Sequence, residues 1–209
     1  MTNPQLNQKG YLITFDGIDG SGTSTHSRLL HEFLVQQGFN VLLTREPTKG
    51  IIGRIIKNVL QNECQIHQPE VYALLFAADR IQHVKEVIEP AIAHGQIVIS
   101  TRYVESSLAY QAAQGLPREW IKAINKDIIW PDLTIILDIN PQDAMSRIKK
   151  REKLESFENI EFLRKVRYNF LERAKEKAYI VMDTTPPIQK TQEIIQDYFF
   201  NFFGKNLNK

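Results

Sequence analysis

Residues 11–28, YLITFDGIDGSGTSTHSR, run from an apolar, aromatic and β-branched stretch through three glycines into a helical repeat. Tyr11 to Phe15 has the content of a short buried strand, while Leu29, Leu30, Phe33 and Leu34 recur at helical spacing within Thr25 to Gln37. Gly17, Gly20 and Gly22 permit turns closed to other side chains, so successive N–H groups and the helix N-terminus can surround a phosphate. Gly17, Gly22 and Ser24 match the phosphate-loop pattern G-x-x-x-x-G-K-[ST] in register, but Thr23 stands where the pattern has lysine. Glycine turns ahead of helices are common, so this loop needs support from the rest of the chain.

The surrounding sequence supplies the matching architecture. Apolar runs at Tyr11–Asp16, Val41–Thr44, Ile97–Ser100, Leu133–Asp138 and Tyr179–Met182 read as five strands. They alternate with helices expected at Ser24–Gln37, Ile51–Leu60, Glu70–Val87, Val104–Ala113, Arg118–Lys126, Gln142–Lys150, Ile160–Lys177 and Ile188–Phe203. Gly38 and Gly95 fall just past helix ends, where glycine is the usual left-handed cap. Such alternation predicts an α/β fold with a five-stranded parallel sheet covered on both faces. The 209 residues suit one domain, 43% hydrophobic and 24% charged, with a flexible N-terminus over residues 1–9. The 26 basic and 24 acidic residues leave a net charge of +2, which argues against nucleic acid or a membrane as a partner. A single cysteine, Cys64, excludes an internal disulfide, and no apolar run reaches membrane-span length, so a cytoplasmic protein is expected.

In parallel α/β sheets ligands gather at the carboxyl ends of the strands. Three loops belong there: Asp16–Thr23, Arg45–Gly50 (REPTKG) and Thr101–Tyr103. Arginine in the second suits a phosphate, although as a surface turn the segment would be unremarkable. In Ser100–Gln111, STRYVESSLAYQ, an arginine ends a strand and Ser106, Ser107, Tyr110 and Gln111 share one face of the following helix. In Leu74–His83, LLFAADRIQH, Phe76 and Arg80 lie one turn apart, an aromatic face beside a guanidinium that suits a nucleobase. Phe76 alone reads more readily as a core residue, and the pairing with Arg80 narrows that margin.

Taken in order, FDGIDGSG, TREP, LLFAADR, STRYVESSLAYQ, PDLTIILDINP and a charged segment at about 147–158 resemble the thymidylate kinase family over nearly the whole chain. The resemblance implies a P-loop nucleoside monophosphate kinase fold and transfer of the γ-phosphoryl group of ATP, with Mg²⁺, to dTMP. It further implies that Gly17, Ile18, Asp19, Gly20, Ser21, Gly22, Thr23, Ser24 and Thr25 hold ATP. The dTMP site would comprise Asp19, Arg45, Phe76, Arg80, Arg102, Ser106, Ser107, Tyr110 and Gln111. Phe76 would stack on the base, Arg80 bond its carbonyl, Ser107 join the base edge, and Tyr110 pack under the deoxyribose. Arg102 would hold the monophosphate with help from Arg45. Ser24 and Asp19 would meet the metal, and the family suggests a homodimer.

Two residues depart from that pattern. Thr101 replaces an aspartate found in many relatives, and Thr23 removes the lysine that normally follows charge into the transition state. A substitute cation is expected, with Arg147 and Arg151 of the LID-like segment as catalytic candidates beside Arg102 and Asp19; Lys150, Lys153 and Lys49 are further choices. A solvated helix end is the alternative reading of that basic cluster. The residues also leave open a nucleotide-binding protein without turnover and a kinase for dUMP or a deoxynucleoside.

Other signals carry less. Asn125, Lys126 and Asp127 resemble a guanine-reading motif with the aspartate one residue early, and the five histidines lack metal-site spacing. Phe199, Phe200, Phe202 and Phe203 are expected to dock a terminal helix onto the core, with a dimer interface as the alternative.

Overall fold

A computed structural model describes residues 10–61, 66–148 and 159–207. Five strands, β1 (Tyr11–Gly17), β2 (Val41–Arg45), β3 (Ile97–Thr101), β4 (Leu133–Asp138) and β5 (Ile180–Asp183), form one sheet in the order β2-β3-β1-β4-β5. Every pairing is parallel; Phe15 lies beside Thr101 of β3 and Ile135 of β4. Each strand falls within a residue or so of its expected limits, which is the ordinary uncertainty of strand ends.

The strands are apolar on both faces because helices cover both. Ile13, Phe15, Ile97 and Ile99 pack against α1 (Thr23–Gln36) and α9 (Ile188–Leu207), where Phe199 and Phe203 are buried as the docking expectation requires. Leu12 and Val98 turn the other way. They meet α3 (Pro69–His83), a π-helical turn (Val84–Ile88), α5 (Val104–Ala113) and α6 (Arg118–Ile124). A third cluster joins α5 to α7 (Pro141–Ile148) and α8 (Ile160–Lys177), and a smaller one joins α2 (Ile51–Leu60) to α3.

The helix expected over Glu70–Val87 is corrected. It gives way after His83 to the π turn and then to a short α4 (Glu89–Ala93). Pro90 has no N–H to donate to the preceding turn, and the Glu89 N–H reaches back five residues to the Val84 carbonyl.

β1 lies between β3 and β4, and the chain leaves it on one side for β2 and later crosses to the other for β4. That reversal opens a crevice at the carboxyl ends of β1 and β3, the switch point where such sheets bind ligands. Cys64 and residues 149–158, which include Lys150, Arg151 and Lys153, lie outside the described residues.

Candidate active site

The chain leaves β1 at Gly17 and enters α1 at Thr23, with Gly22 as N-cap at φ 95°. A side chain at that φ would be strained, and the glycine sets the start of α1 on the crevice wall, where the N–H groups of a first helical turn suit an anion. The crevice wall is formed by Asp19, Gly20, Gly22, Thr23, Ser24 and Thr25 of this loop. Arg45 ends β2 and Glu46 and Pro47 follow it, Lys57 and Leu60 come from α2, and Phe76 from α3; Arg102, Ser106, Ser107, Tyr110 and Gln111 complete it. Ile18 and Ser21 are buried beneath the loop, and Gly17 contributes its carbonyl to Arg102. Those three expected phosphate-loop residues shape the wall from behind.

Arg102 is the most constrained residue here. Its φ of 68° is left-handed for a side-chain-bearing residue, a conformation costing on the order of 1–3 kcal/mol. Its N–H donates to the Phe15 carbonyl (2.8 Å) and its carbonyl accepts from the Ser100 hydroxyl (2.8 Å). The guanidinium donates to the Gly17 carbonyl (2.9 Å), to Ser106 (3.2 Å) and to Asp19 (2.5 Å), and lies 5.3 Å from the Tyr110 ring centre. Burial works against its charge, but Tyr110, Asp19 and Asp16 outweigh that, and its pKa lies above the ordinary value. Tyr110 donates to the second Asp19 oxygen (2.8 Å) and accepts from the Asp19 N–H (2.9 Å), so phosphate loop, tyrosine and arginine form one unit.

Asp16 supports this unit from beneath. Its Oδ1 accepts from the Tyr103 N–H (3.1 Å), the Ser106 N–H (3.0 Å) and the Ser106 hydroxyl (2.6 Å). Tyr103 is the N-cap of α5 and has no capping side-chain bond, so the carboxyl group of β1 caps the helix from outside. Oδ2 of Asp16 is buried without a partner among the described residues, and burial holds the carboxyl above its usual pKa.

Arg80 departs from the expectation of direct contact with a base. It is only 1% exposed and is not part of the crevice wall. Its guanidinium donates to Glu46 (2.8 Å), Asn125 (2.7 Å), the Tyr103 carbonyl (3.2 Å) and Ser107 (3.1 Å). The carboxylate of Glu46 takes both Arg80 and His83 Nδ1 (3.1 Å), which leaves no lone buried charge. Arg80 therefore positions Ser107, which does line the wall beside Phe76 and Gln111. Gln111 is 2% exposed with its Oε1 unpartnered among the described residues, an acceptor waiting for a donor. Asn125 is a buried partner of Arg80 and of the Ile121 carbonyl.

Of the LID candidates only Arg147 is described. It donates to the Gly20 carbonyl (3.3 Å) and the Thr184 carbonyl (2.7 Å), fastening the loop to α7 and to the segment after β5. Thr101 occupies a buried hydroxyl pair with Ser27 of α1 (2.6 Å). No cluster of three or more His, Cys, Asp or Glu suited to a metal occurs among the described residues.

Asp16, which supports the site from beneath, and Glu46, Pro47, Lys57 and Leu60 on its wall were not among the expected site residues. Asp16 looked like the end of a strand. For Lys57 the available signal was a lysine on the same face of α2 as Gly53, Ile56 and Leu60, which are buried.

With this geometry in place, comparison with known proteins is direct. The family model described as thymidylate kinase matches residues 15–195. A probable thymidylate kinase of Pyrobaculum aerophilum is 48% identical over 185 residues, covering 88% of this chain and 92% of its own length. A probable thymidylate kinase of Pyrococcus horikoshii is 45% identical over 172 residues, covering 80% and 84%. A thymidylate kinase of Thermoanaerobacter sp. is 39% identical over 197 residues, covering 90% and 97%. The match spans the glycine loop, both arginine loops and the α3 and α5 walls alike, and the chain belongs to the thymidylate kinase family.

Proposed function

We propose that this protein is a single-domain kinase that transfers the γ-phosphoryl group of ATP to dTMP. The observation that carries the reading is one crevice joining a phosphate loop to an aromatic and amide-lined end, with Arg102 between them. An oxygen of the acceptor phosphate forms the new bond to the γ-phosphorus. The bond from that phosphorus to the β,γ-bridging oxygen breaks, and its electron pair stays on ADP. Catalysis of such transfers is chiefly alignment and charge stabilisation.

At the aromatic end, Phe76 offers a stacking face, and the Gln111 oxygen is an acceptor for the imide N–H of thymine. Ser107, held by Arg80, adds a contact at the base edge. Tyr110 and Asp19 face the sugar, and Arg102 with Arg45 takes the monophosphate. The loop from Gly20 to Thr25 holds the phosphates of ATP, with Arg147 fixing its outer side and Arg151 in the LID as a second donor-side cation. Mg²⁺ fits this donor set. It needs few protein ligands when phosphates and waters supply the rest, and Ser24 on the wall offers a hydroxyl with Asp19 nearby. The metal would shield the charge on the phosphates.

ATP as donor favours the cytoplasm; no helix among the described residues is long and apolar enough to cross a membrane. A homodimer is supported by exposed Ile51 and Ile55 on α2 and Val71 and Leu74 on α3, an apolar face on two packed helices.

An acceptor panel tests the reading. ADP release with Mg²⁺–ATP should be fast with dTMP, slower with dUMP and negligible with thymidine, and Phe76→Ala should lower kcat/KM for dTMP by about 10-fold or more. Tight dTMP binding without ADP release would favour a binding protein instead.

A further inference from the structure

Three side chains of one helix hold the segment that leaves β2. Asp79, Arg80 and His83 lie within a turn and a half of α3, share a face and are all buried. Asp79 accepts from the Thr48 N–H (2.8 Å) and from the Thr48 hydroxyl (2.6 Å). His83 meets one oxygen of Glu46 through Nδ1 (3.1 Å) and the Thr44 hydroxyl through Nε2 (2.7 Å), while Arg80 takes the other oxygen of Glu46. The held residues, Thr44, Glu46 and Thr48, alternate with Arg45 and Pro47, which line the crevice together with Glu46.

Asp79 spends its whole polar end on this segment. It is 1% exposed and no basic side chain pairs with it among the described residues, so the two bonds from Thr48 are what offset its burial. Thr48 is fixed on its other sides as well. Its hydroxyl oxygen accepts from the Gly50 N–H (3.0 Å), and a Cβ on Gly53 would sit 2.2 Å from its carbonyl oxygen, so α2 closes directly on it. Phe76 stands on α3 about one turn before Asp79 and Arg80, and it lines the crevice. The helix that offers the aromatic face thus also holds the loop that carries Pro47. Asp79 and His83 are themselves absent from the wall.

We propose that Asp79 and His83 are positioning residues for the acceptor: acting through Thr48 and Glu46, they set the width of the slot between Phe76 and Pro47 in which the acceptor's base lies. The kinase reading supplies only the identity of that base. The hold on the loop stands on the geometry of α3 alone.

Calorimetric titration of dTMP, steady-state kinetics and thermal melting of the full chain test the assignment. The variants are Asp79→Ala, Asp79→Asn, Thr48→Val, Asp79→Ala combined with Thr48→Val, His83→Asn and His83→Gln. Asp79→Ala should weaken dTMP binding and raise KM for dTMP about 10-fold or more, with KM for ATP within about twofold. Asp79→Asn keeps one acceptor for Thr48 and should recover part of that loss. The double variant should be little worse than Asp79→Ala, since both changes break the same contact. Asparagine at position 83 can place its amide nitrogen where Nδ1 stands and glutamine cannot, so His83→Asn should keep more dTMP affinity than His83→Gln. Unchanged dTMP binding in Asp79→Ala, additive losses in the double variant, or equal rises in KM for both nucleotides would overturn the role of Asp79. If Asp79→Ala does not melt cooperatively, unchanged dTMP binding in both Asp79→Asn and Thr48→Val would overturn it instead. Affinity in His83→Gln equal to that in His83→Asn would overturn the role of His83. Absence of turnover in the unaltered chain would refute the kinase reading and leave the dTMP titrations to decide the slot, while absence of dTMP binding as well would overturn both.

Discussion

Three donors converge on Oδ1 of Asp16, and they are what hold the start of α5 and the left-handed Arg102 in place. Asp16→Ala removes all three acceptor contacts inside a buried site and should cost about 3 kcal/mol in thermal or denaturant unfolding, together with weaker dTMP binding through a displaced Arg102. Asp16→Asn keeps an accepting oxygen and should lose clearly less on both measurements. His26 gives a residue-scale pH prediction. Burial lowers its pKa from 6.5, although the Gln192 contact at 3.0 Å acts in the other direction. A depressed folded pKa means that the unfolded chain binds more protons below pH 6.5, so this contribution to stability is complete above that pH and is lost as pH falls toward the folded value. The melting temperature of the protein should therefore drop more between pH 7 and pH 5 than that of His26→Gln. At this scale the sequence showed which residue types were present but not their direction. Arg80 and Ser107 were both visible as candidates, and only packing reveals that one reaches the crevice through the other.

Between elements, a buried ion pair joins α5 to α8. Arg173 holds both oxygens of Glu105 (3.0 and 2.7 Å), with the Tyr179 hydroxyl on the same carboxylate (2.9 Å), and both charged side chains are buried. Losing one partner leaves an uncompensated charge, so Arg173→Met should cost about 3–5 kcal/mol in denaturant unfolding. Replacing both, as Glu105→Leu with Arg173→Met, should recover much of that loss. Because α5 carries Ser106, Ser107, Tyr110 and Gln111, the single variant should also impair dTMP binding. Element types were legible because strand runs and leucine spacing were strong. The π turn was not, because Pro90 acts through a missing N–H while the apolar pattern continues across it.

Across the whole molecule, five parallel strands and three convergent loops could be read from alternation of apolar runs and helices. The strand order could not, since it depends on which neighbours pair over long separations, and that order decides where β1 and β3 place their loops. Once it is known, the phosphate loop without lysine stops being a defect of an isolated motif. It becomes one wall of a crevice that Arg45, Lys57 and Arg102 also line. The central claim is that this crevice moves a phosphoryl group between two nucleotides. Incubating the full chain with Mg²⁺–ATP and dTMP and separating the nucleotides by chromatography tests it most directly: the account predicts ADP and dTDP appearing in equal amounts, whereas ADP without dTDP, or no product beside measurable dTMP binding, would contradict it.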